Sequence, residues 1–287
     1  MSGREYAYYP GCSLHATGIE FDNSTRLVSK SLGIQLREID DWSCCGASSA
    51  HATSHLLSLA LPARNLALAE QLGLPVTSPC PECIWRLRYA TLELQNDHER
   101  ARIEHVIERE FHNSVPVEPL VNVLGSADLD VPVKKPLTGL RAVVYYGCLI
   151  ARPKAVTDVD DQEDPRVLDQ LLVRLGAESV DWDFKTECCG ASLALGRPDI
   201  VRDLSYRILS SAKRLDADCI VVACQMCQAN LDTKQKEMEA YFGDQLNMPI
   251  IYFTQLMGLA MGLPWDSLMF DKHMVDPRPL LREKQLI

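Results

Sequence analysis

Ten of the eleven cysteines fall into two sets of five that have nearly the same spacing. The first set follows the pattern C-x31-CC-x34-C-x2-C, and the second follows C-x39-CC-x34-C-x2-C. Thiolates are soft ligands for zinc and iron, and they also carry out redox chemistry. The pattern therefore predicts two related thiol sites in one chain. The first set comprises Cys12, Cys44, Cys45, Cys80 and Cys83, and the second comprises Cys148, Cys188, Cys189, Cys224 and Cys227.

The residues around these cysteines repeat as well. The letters YYPGC end at Cys12 and YYGC end at Cys148, while CCGAS begins at both Cys44 and Cys188. Because a vicinal pair, its glycine and the x34 spacing all recur, we infer that one unit was duplicated. The duplication predicts two halves that fold alike.

The elements that must position these cysteines alternate in each half, with short apolar runs between longer helical segments. Such alternation predicts an α/β fold with two pseudo-symmetric domains, each a small, mostly parallel sheet flanked by helices. Four cysteines directly follow predicted strands, at the sheet edge where open α/β folds bind ligands. These are Cys12, Cys80, Cys148 and Cys224. The predicted strands are 6–9, 34–39, 74–77, 142–146, 179–182 and 220–223.

The length of 287 residues suits two domains of roughly 140 residues each. A stretch with four prolines and a Lys134-Lys135 pair separates the two cysteine sets. A last stretch extends past the second set and is predicted either to be disordered or to dock. The predicted boundaries are 1–114 for the N-terminal domain, 115–138 for the linker, 139–263 for the C-terminal domain and 264–287 for the tail.

Composition excludes several classes of protein. The net charge of −10 and the lack of a Lys/Arg cluster argue against a nucleic-acid partner. No apolar run approaches the roughly 20 residues that span a bilayer, and no signal peptide is recognisable. We therefore expect a cytoplasmic protein, in which thiols stay reduced and a dense cysteine framework indicates metal binding or redox chemistry.

Three interpretations of the thiols stay open on spacing alone. Structural zinc takes four ligands, so five thiols with a vicinal pair exceed its need. Disulfides are disfavoured in a reducing compartment. An iron–sulfur cluster in each half suits thiolate-rich sites, and a fifth thiol then indicates an unusual cluster.

The phrases YYPGCSLH, DWSCCGAS, YYGCLIARP, ECCGAS and CQMCQANL resemble the B component of heterodisulfide reductase, over nearly the whole chain. The resemblance implies that each domain, called a CCG domain in that family, binds a non-cubane [4Fe-4S] cluster. All ten cysteines would then be metal ligands around two clusters that face one cavity. Zinc in one half is the alternative cofactor.

The same resemblance implies a catalytic iron–sulfur subunit that reduces, or reversibly forms, a small-molecule disulfide by one-electron steps. Its partners would be a ferredoxin-type subunit like heterodisulfide reductase C and a flavin subunit like heterodisulfide reductase A. The alternative is a non-catalytic CCG subunit that relays electrons in a quinone-, lactate- or succinate-linked oxidoreductase. A zinc-stabilised binding protein is a third hypothesis.

Residues beside the cysteines are further candidates. His15, three residues after Cys12, is either a proton donor or anion contact near the first cluster, or a loop histidine bonded to backbone. Arg152 is expected to pair with an acidic substrate or with the acidic loop that follows it. Four glycines adjacent to cysteines allow positive φ and bring backbone amides close to sulfur. They are Gly11, Gly46, Gly147 and Gly190.

Two more residues complete the predictions. His51 follows the first CCG turn and shares a helix face with His55; the pair lacks a third metal ligand, and lining of the cavity is the lesser of the roles open to His51. Cys219, the eleventh cysteine, opens an apolar strand and is expected to pack in the core rather than bind metal.

Overall fold

The computed structural model of the chain describes residues 4–287 and contains two four-stranded sheets. All neighbouring strands are parallel, in the order β2-β1-β3-β4 in the first sheet and β6-β5-β7-β8 in the second. The predicted α/β class and the two-fold repeat are thus confirmed, with sheets that are entirely parallel. The strands are β1 Glu5–Tyr8, β2 Gln35–Glu38, β3 Val76–Ser78, β4 Val117–Pro119, β5 Arg141–Tyr145, β6 Glu178–Ser179, β7 Cys219–Val222 and β8 Ile250–Tyr252.

Helices connect the strands and cover the sheets. In the first half they are α1 Ile19–Ser31, α2 Ala47–Thr53, α3 His55–Glu70, α4 Pro81–Glu93, α5 Asp97–Ile107 and α6 Leu120–Gly125. In the second half they are α7 Cys148–Ala151, α8 Val167–Arg174, α9 Pro198–Arg214, α10 Gln225–Thr233, α11 Gln235–Phe242, α12 Phe253–Ala260 and α13 Arg278–Glu283. Within residues 4–287, no helix combines the length and apolar character that a bilayer crossing requires.

The central strands form where β-branched and aromatic residues run together. β7 reads CIVV, and all four of its side chains are buried, as expected for a strand covered on both faces. Cys219 lies there with its side chain fully buried, as the sequence predicts. The charged α9 buries the face that carries Val201, Ile208 and Leu209, and it begins with a proline in its first turn.

The segment predicted as a linker contributes to the first sheet. β4 lies within 115–138 and pairs with β3 through Val76 and Val117, and the hydroxyl of Thr77 donates to the carbonyl of Glu118. Three residues that end in proline carry too weak a pattern to be recognised, and proline is tolerated because β4 is an edge strand. The domain boundaries themselves stay a prediction.

The predicted tail, 264–287, docks on the chain itself. Two 3-10 turns, Trp265–Leu268 and Phe270–Lys272, precede α13. The carboxylate of Asp232 accepts hydrogen bonds from the backbone amides of residues 274 and 275, at 2.7 and 2.9 Å. The tail also reaches the first half, because the Asn23 side chain donates to the carbonyl of Ser267.

The two halves are joined through α1 and α12. The ring of Phe21 stacks on that of Tyr252 with centroids 4.3 Å apart. The buried hydroxyls of Ser24 and Thr254 share a hydrogen bond of 2.7 Å. This interface sets the sheets in a defined relation, and the cysteine-bearing edges of both border the same space.

Candidate metal centre

The two sets of cysteines occupy equivalent places in the two halves. Cys12 opens a 3-10 turn after β1, and Cys148 opens α7 after β5. Cys80 and Cys224 are the N-cap residues of α4 and α10. The second cysteine of each C-x2-C word therefore lies in a first helical turn, where free N–H groups and the helix dipole stabilise anions.

Within each set the sulfur atoms stand in pairs. In the first set, the Sγ atoms of Cys12 and Cys44 are 4.0 Å apart and those of Cys45 and Cys83 are 3.5 Å apart. The corresponding distances in the second set follow in the same order. They are 3.7 Å for Cys148 with Cys188 and 3.6 Å for Cys189 with Cys227. All eleven cysteines lie within the described residues and are free thiols, with no disulfide bond among them.

The donor arrangement of each set offers several sulfurs around an open space, as an iron–sulfur cluster requires. Within residues 4–287, no three His, Cys, Asp or Glu side chains converge closely enough to hold one metal ion. Tetrahedral zinc would need four donors about 2.3 Å from one point. Sulfur pairs delivered by separate loops around an open space instead suit a cluster, whose several irons are reached from several directions.

One cavity of about 830 Å³ lies between the halves and is bordered by both sets. Nine of the ten cysteines line it, all except Cys44. Cys12, Cys44 and Cys188 are exposed, whereas both cysteines of each C-x2-C word are buried. In each set, therefore, the C-x2-C cysteines are buried and at least one other cysteine is exposed to solvent. The cavity is large enough for a small molecule.

The thiols influence one another's proton affinity. The hydrogen bond with Cys44 is the main cause that lowers the pKa of Cys45 to about 3, and it raises the pKa of Cys44. In the second set, the bond with Cys148 lowers the pKa of Cys188 to about 6, while the pKa of Cys148 is raised. Each set thus contains a sulfur that releases its proton readily, as metal binding requires.

Comparison with known proteins identifies the repeated unit. The family model described as "CCG: Cysteine-rich domain" matches twice, over residues 6–88 and 142–232. The chain belongs to this CCG family. Two matches in one chain also confirm the duplication inferred from the cysteine spacing.

The names of the relatives identify them as components of redox enzymes. The chain is 33% identical to the 8-methylmenaquinol:fumarate reductase membrane anchor subunit of Wolinella succinogenes, over 96% of this chain and 99% of that protein. It is 28% identical to the B component of the ferredoxin:CoB-CoM heterodisulfide reductase of Methanosarcina mazei, over 92% of each. The heterodisulfide reductase B-like protein of Archaeoglobus profundus is 28% identical, over 90% of this chain and 91% of that one. The resemblance to heterodisulfide reductase B is therefore confirmed.

A solved structure shares the fold. The crystal structure of a hypothetical protein from Helicobacter pylori superposes with a TM-score of 0.79 at 14% identity. The match covers 95% of this chain and 52% of that one. At this identity the likeness concerns the fold alone.

A tyrosine ties the vicinal cysteines to the sheet in each CCG domain. The hydroxyl of Tyr9 donates to the carbonyl of Ser43 at 2.7 Å, and that of Tyr145 donates to the carbonyl of Glu187 at 2.6 Å. Each acceptor immediately precedes a vicinal pair. Burial and nearby thiolates raise the pKa of both tyrosines, so their hydroxyls remain donors. This role was not predicted from the sequence, although the repeated YY word carried the signal.

The four glycines lie against the sulfurs of the CCG domains. Gly11 has φ +75°, and a Cβ there would be 2.8 Å from the Cys83 Sγ. Gly147 has φ +71°, and its Cβ would be 3.1 Å from the Cys227 Sγ. The amides of the other two donate to sulfur at 3.4 and 3.3 Å; these are Gly46 to Cys44 and Gly190 to Cys188. A role for these glycines in holding a cofactor stays a prediction.

His15 lies outside the cavity. Its ring is exposed on the protein surface, 3.3 Å from the Glu38 carboxylate and edge-on to Trp42. These two neighbours hold the imidazole on the outer side of the loop, while Cys12 and Ser13 face the cavity. Proton donation by His15 stays a prediction, without support from its position.

The cavity wall carries a charged group that the sequence did not single out. Arg86, buried on α4, lies 3.3 Å from a carboxylate oxygen of Glu82 and 2.6 Å from the Nδ1 atom of His51. All three line the cavity, so His51 takes the role that the sequence favoured less. Burial is the main cause that raises the pKa of Glu82. The i,i+4 spacing of Glu82 and Arg86 was the available signal.

Arg152 pairs with the acidic loop, and its pairing with an acidic substrate stays a prediction. It lines the cavity, and its guanidinium also bonds to Glu163 at 2.6 Å and to the hydroxyl of Thr186 at 3.2 Å. Glu163 belongs to the acidic loop that the second half inserts. This acidic loop therefore holds the positively charged Arg152 at the cavity wall.

Proposed function

We propose that the chain is the iron–sulfur subunit of an oxidoreductase complex and that it reduces, or reversibly forms, a small-molecule disulfide. In this proposal the ten repeated cysteines hold two non-cubane [4Fe-4S] clusters, one in each CCG domain. When bound, such clusters supply single electrons to a substrate between them. The names of the relatives support an oxidoreductase subunit, and the paired sulfurs support a cluster in each half.

One observation carries the proposal. The two sets of cysteines border a single cavity of about 830 Å³, with open sides at Cys12 and Cys188. Cleavage of a disulfide takes two electrons, and two one-electron sites on opposite sides of one molecule match that requirement. A structural role for the sulfurs would not require both sets to meet at one space.

Side chains of the cavity wall would bind and protonate the substrate. The positive charges of Arg86 and Arg152 favour a substrate with acidic groups. Release of two thiols also requires two protons, and Glu82 and His51 lie at the wall where these would be delivered. His15 would serve as a donor only if the loop after Cys12 moved.

The partners proposed are subunits like heterodisulfide reductase C and A, in a cytoplasmic complex. The relatives named as heterodisulfide reductase components support a multi-subunit assembly. The net charge of −10 is unfavourable for a nucleic-acid partner.

A second candidate is an electron-relay subunit linked to a quinol. The observation in its favour is the 33% identity, over almost the whole length, to a component of 8-methylmenaquinol:fumarate reductase. In this case the cavity would hold a quinone ring or be closed by a partner. Glu82 and His51 would then hold protons for the quinone instead of the thiols.

The first test is metal and sulfide analysis of anaerobically purified protein. Two four-iron clusters predict about eight iron and about eight acid-labile sulfide per chain. One or two zinc ions without sulfide would overturn the proposal. Cys44→Ser and Cys188→Ser are each expected to halve the iron, whereas Cys219→Ala, which alters the cysteine outside both sets, should leave it unchanged.

The second test separates the two candidates. The reduced protein is mixed with small disulfides or with a menaquinone analogue, and reoxidation is followed by absorbance. Rapid reoxidation by disulfides, lost in both Cys→Ser variants, supports disulfide chemistry. Reoxidation by the quinone alone would replace it with the relay function.

A further inference from the structure

The side chain of Gln225 crosses from the second CCG domain to the first. Gln225 follows Cys224 inside the second C-x2-C word and is the first residue of α10. Its Nε2 atom lies 2.8 Å from the Sγ atom of Cys80, a member of the other set. The side chain is buried, with an exposed fraction of 4%. A direct hydrogen bond therefore links the two cysteine sets.

At this position the second CCG domain donates a hydrogen bond to the first, and the first cannot donate one in return. At the equivalent position of the first C-x2-C word stands Pro81, whose side chain has no hydrogen-bond donor. The duplicated sites consequently differ at this point. Packing holds Gln225 in place, since a Cβ at Gly18 would be 3.1 Å from the Cβ of Gln225.

The orientation of the amide follows from the chemistry of the sulfur. A thiolate bound to metal carries no proton, so only the NH₂ end of Gln225 can make a favourable bond to Cys80. The Oε1 atom is buried and has no hydrogen-bond partner within residues 4–287. Burial of an unpaired carbonyl oxygen is unfavourable. An amide retained under that penalty is consistent with a role for its N–H groups.

We propose that Gln225 is a positioning residue of the second CCG domain that raises the reduction potential of the first site. The inference rests on the proposed function, because it requires a cluster on Cys80. An N–H···S hydrogen bond withdraws electron density from the thiolate and so favours the reduced, more negative cluster. Since Pro81 offers no matching donor to the second site, the first site takes up an electron more readily than its partner.

The test is a redox titration monitored by electron paramagnetic resonance on the full chain. Gln225→Leu removes the donor, and Gln225→Glu keeps the shape of the side chain while it replaces the donor with a negative charge. Each is expected to lower the midpoint potential of the first site. Gln225→Leu should leave that of the second site unchanged, whereas the charge of Gln225→Glu lies next to Cys224 and should lower the second potential as well. The expected loss in the equilibrium constant for reduction is about tenfold for Gln225→Leu, or about 59 mV for a one-electron couple. The shift should be larger for Gln225→Glu.

The matched control is Gln228→Leu. Gln228 lies on the same helix with the same exposed fraction of 4%, but its amide bonds to Asp232 and His273 rather than to sulfur. Its replacement should move neither potential. The same measurement in a Cys188→Ser background, which is expected to retain only the first site, shows which resonance signal belongs to that site.

Iron and sulfide content separates the possible failures. Wild-type protein without clusters overturns both the proposed function and this inference. If the wild-type protein contains clusters but the first-site potential of both Gln225→Leu and Gln225→Glu equals that of the wild type, the inference alone is overturned. If Gln225→Leu does not fold, the isosteric Gln225→Glu decides the outcome.

Discussion

At the scale of single residues, the approach of backbone to sulfur depends on the glycine before the first cysteine of each set. We expect Gly11→Ala to destabilise the protein and to reduce iron binding at the first site, because the new methyl group would lie 2.8 Å from the Cys83 Sγ. Overpacking of this kind costs about 1–3 kcal/mol. Urea unfolding and iron analysis measure the two effects.

Gly33→Ala is the control for this substitution. Gly33 has φ +71°, close to that of Gly11, and no heavy atom of the described residues lies within 4 Å of a Cβ there. Gly33→Ala therefore reports the effect of a positive φ without displacement of a sulfur. Gly11 has in addition a ψ of 164°, a conformation that is essentially restricted to glycine, so its replacement carries extra backbone strain. Equal losses of stability and iron in the two variants would show that contact with Cys83 is unimportant.

At the scale of elements, the sequence predicts six of the eight strands and misses β4 and β8. β1, β3, β5 and β7 each precede a cysteine and consist of apolar runs long enough to recognise. β4 and β8 have three residues each, and unlike the equally short β3, neither leads into a cysteine motif that marks it in the sequence. The cavity could be expected from the resemblance, but the contact of Gln225 with Cys80 could not, since it depends on how the halves pack.

Because of its docked tail, we expect the protein to lose stability in acid. His273 is buried between Gln228 and Gln255, with ring nitrogens 3.2 and 3.0 Å from their side chains. Burial is the main cause that lowers the pKa of His273. The unfolded chain therefore binds a proton at a higher pH than the folded protein does, and protonation favours unfolding. This loss of stability is absent above the unfolded pKa of about 6.5 and grows as the pH falls below it. The carboxylates near the ring are those of Asp232, Asp271 and Asp276.

Thermal unfolding between pH 7.5 and pH 5.5 measures this effect. We expect His273→Gln to weaken the dependence of the melting temperature on pH, because glutamine acquires no charge. His98→Gln, at an exposed histidine on α5, controls for the loss of an imidazole. An unchanged pH dependence in His273→Gln would assign the acid sensitivity to other groups.

At the scale of the whole molecule, the duplicated halves act together only if their interface holds both cysteine sets at one cavity. The ring of Phe21 on α1 stacks on that of Tyr252, the last residue of β8 and the residue before α12. Phe21→Ala should lower the free energy of unfolding by about 3–5 kcal/mol, the range for loss of a buried phenylalanine. Because the lost contact lies between the halves, unfolding should separate into two transitions, and the variant should retain iron but lose electron exchange between the sites.

Phe111→Ala is the matched control for the interface. Phe111 is equally buried but follows α5 within the first half. Its loss should weaken that half by a similar amount and leave the contact between α1 and α12 intact. Calorimetry then distinguishes the two variants by the number of transitions rather than by their size. One shared transition in Phe21→Ala would mean that the halves are coupled elsewhere, through α4 and α7 or through the docked tail, and that the cavity does not depend on the α1–α12 contact.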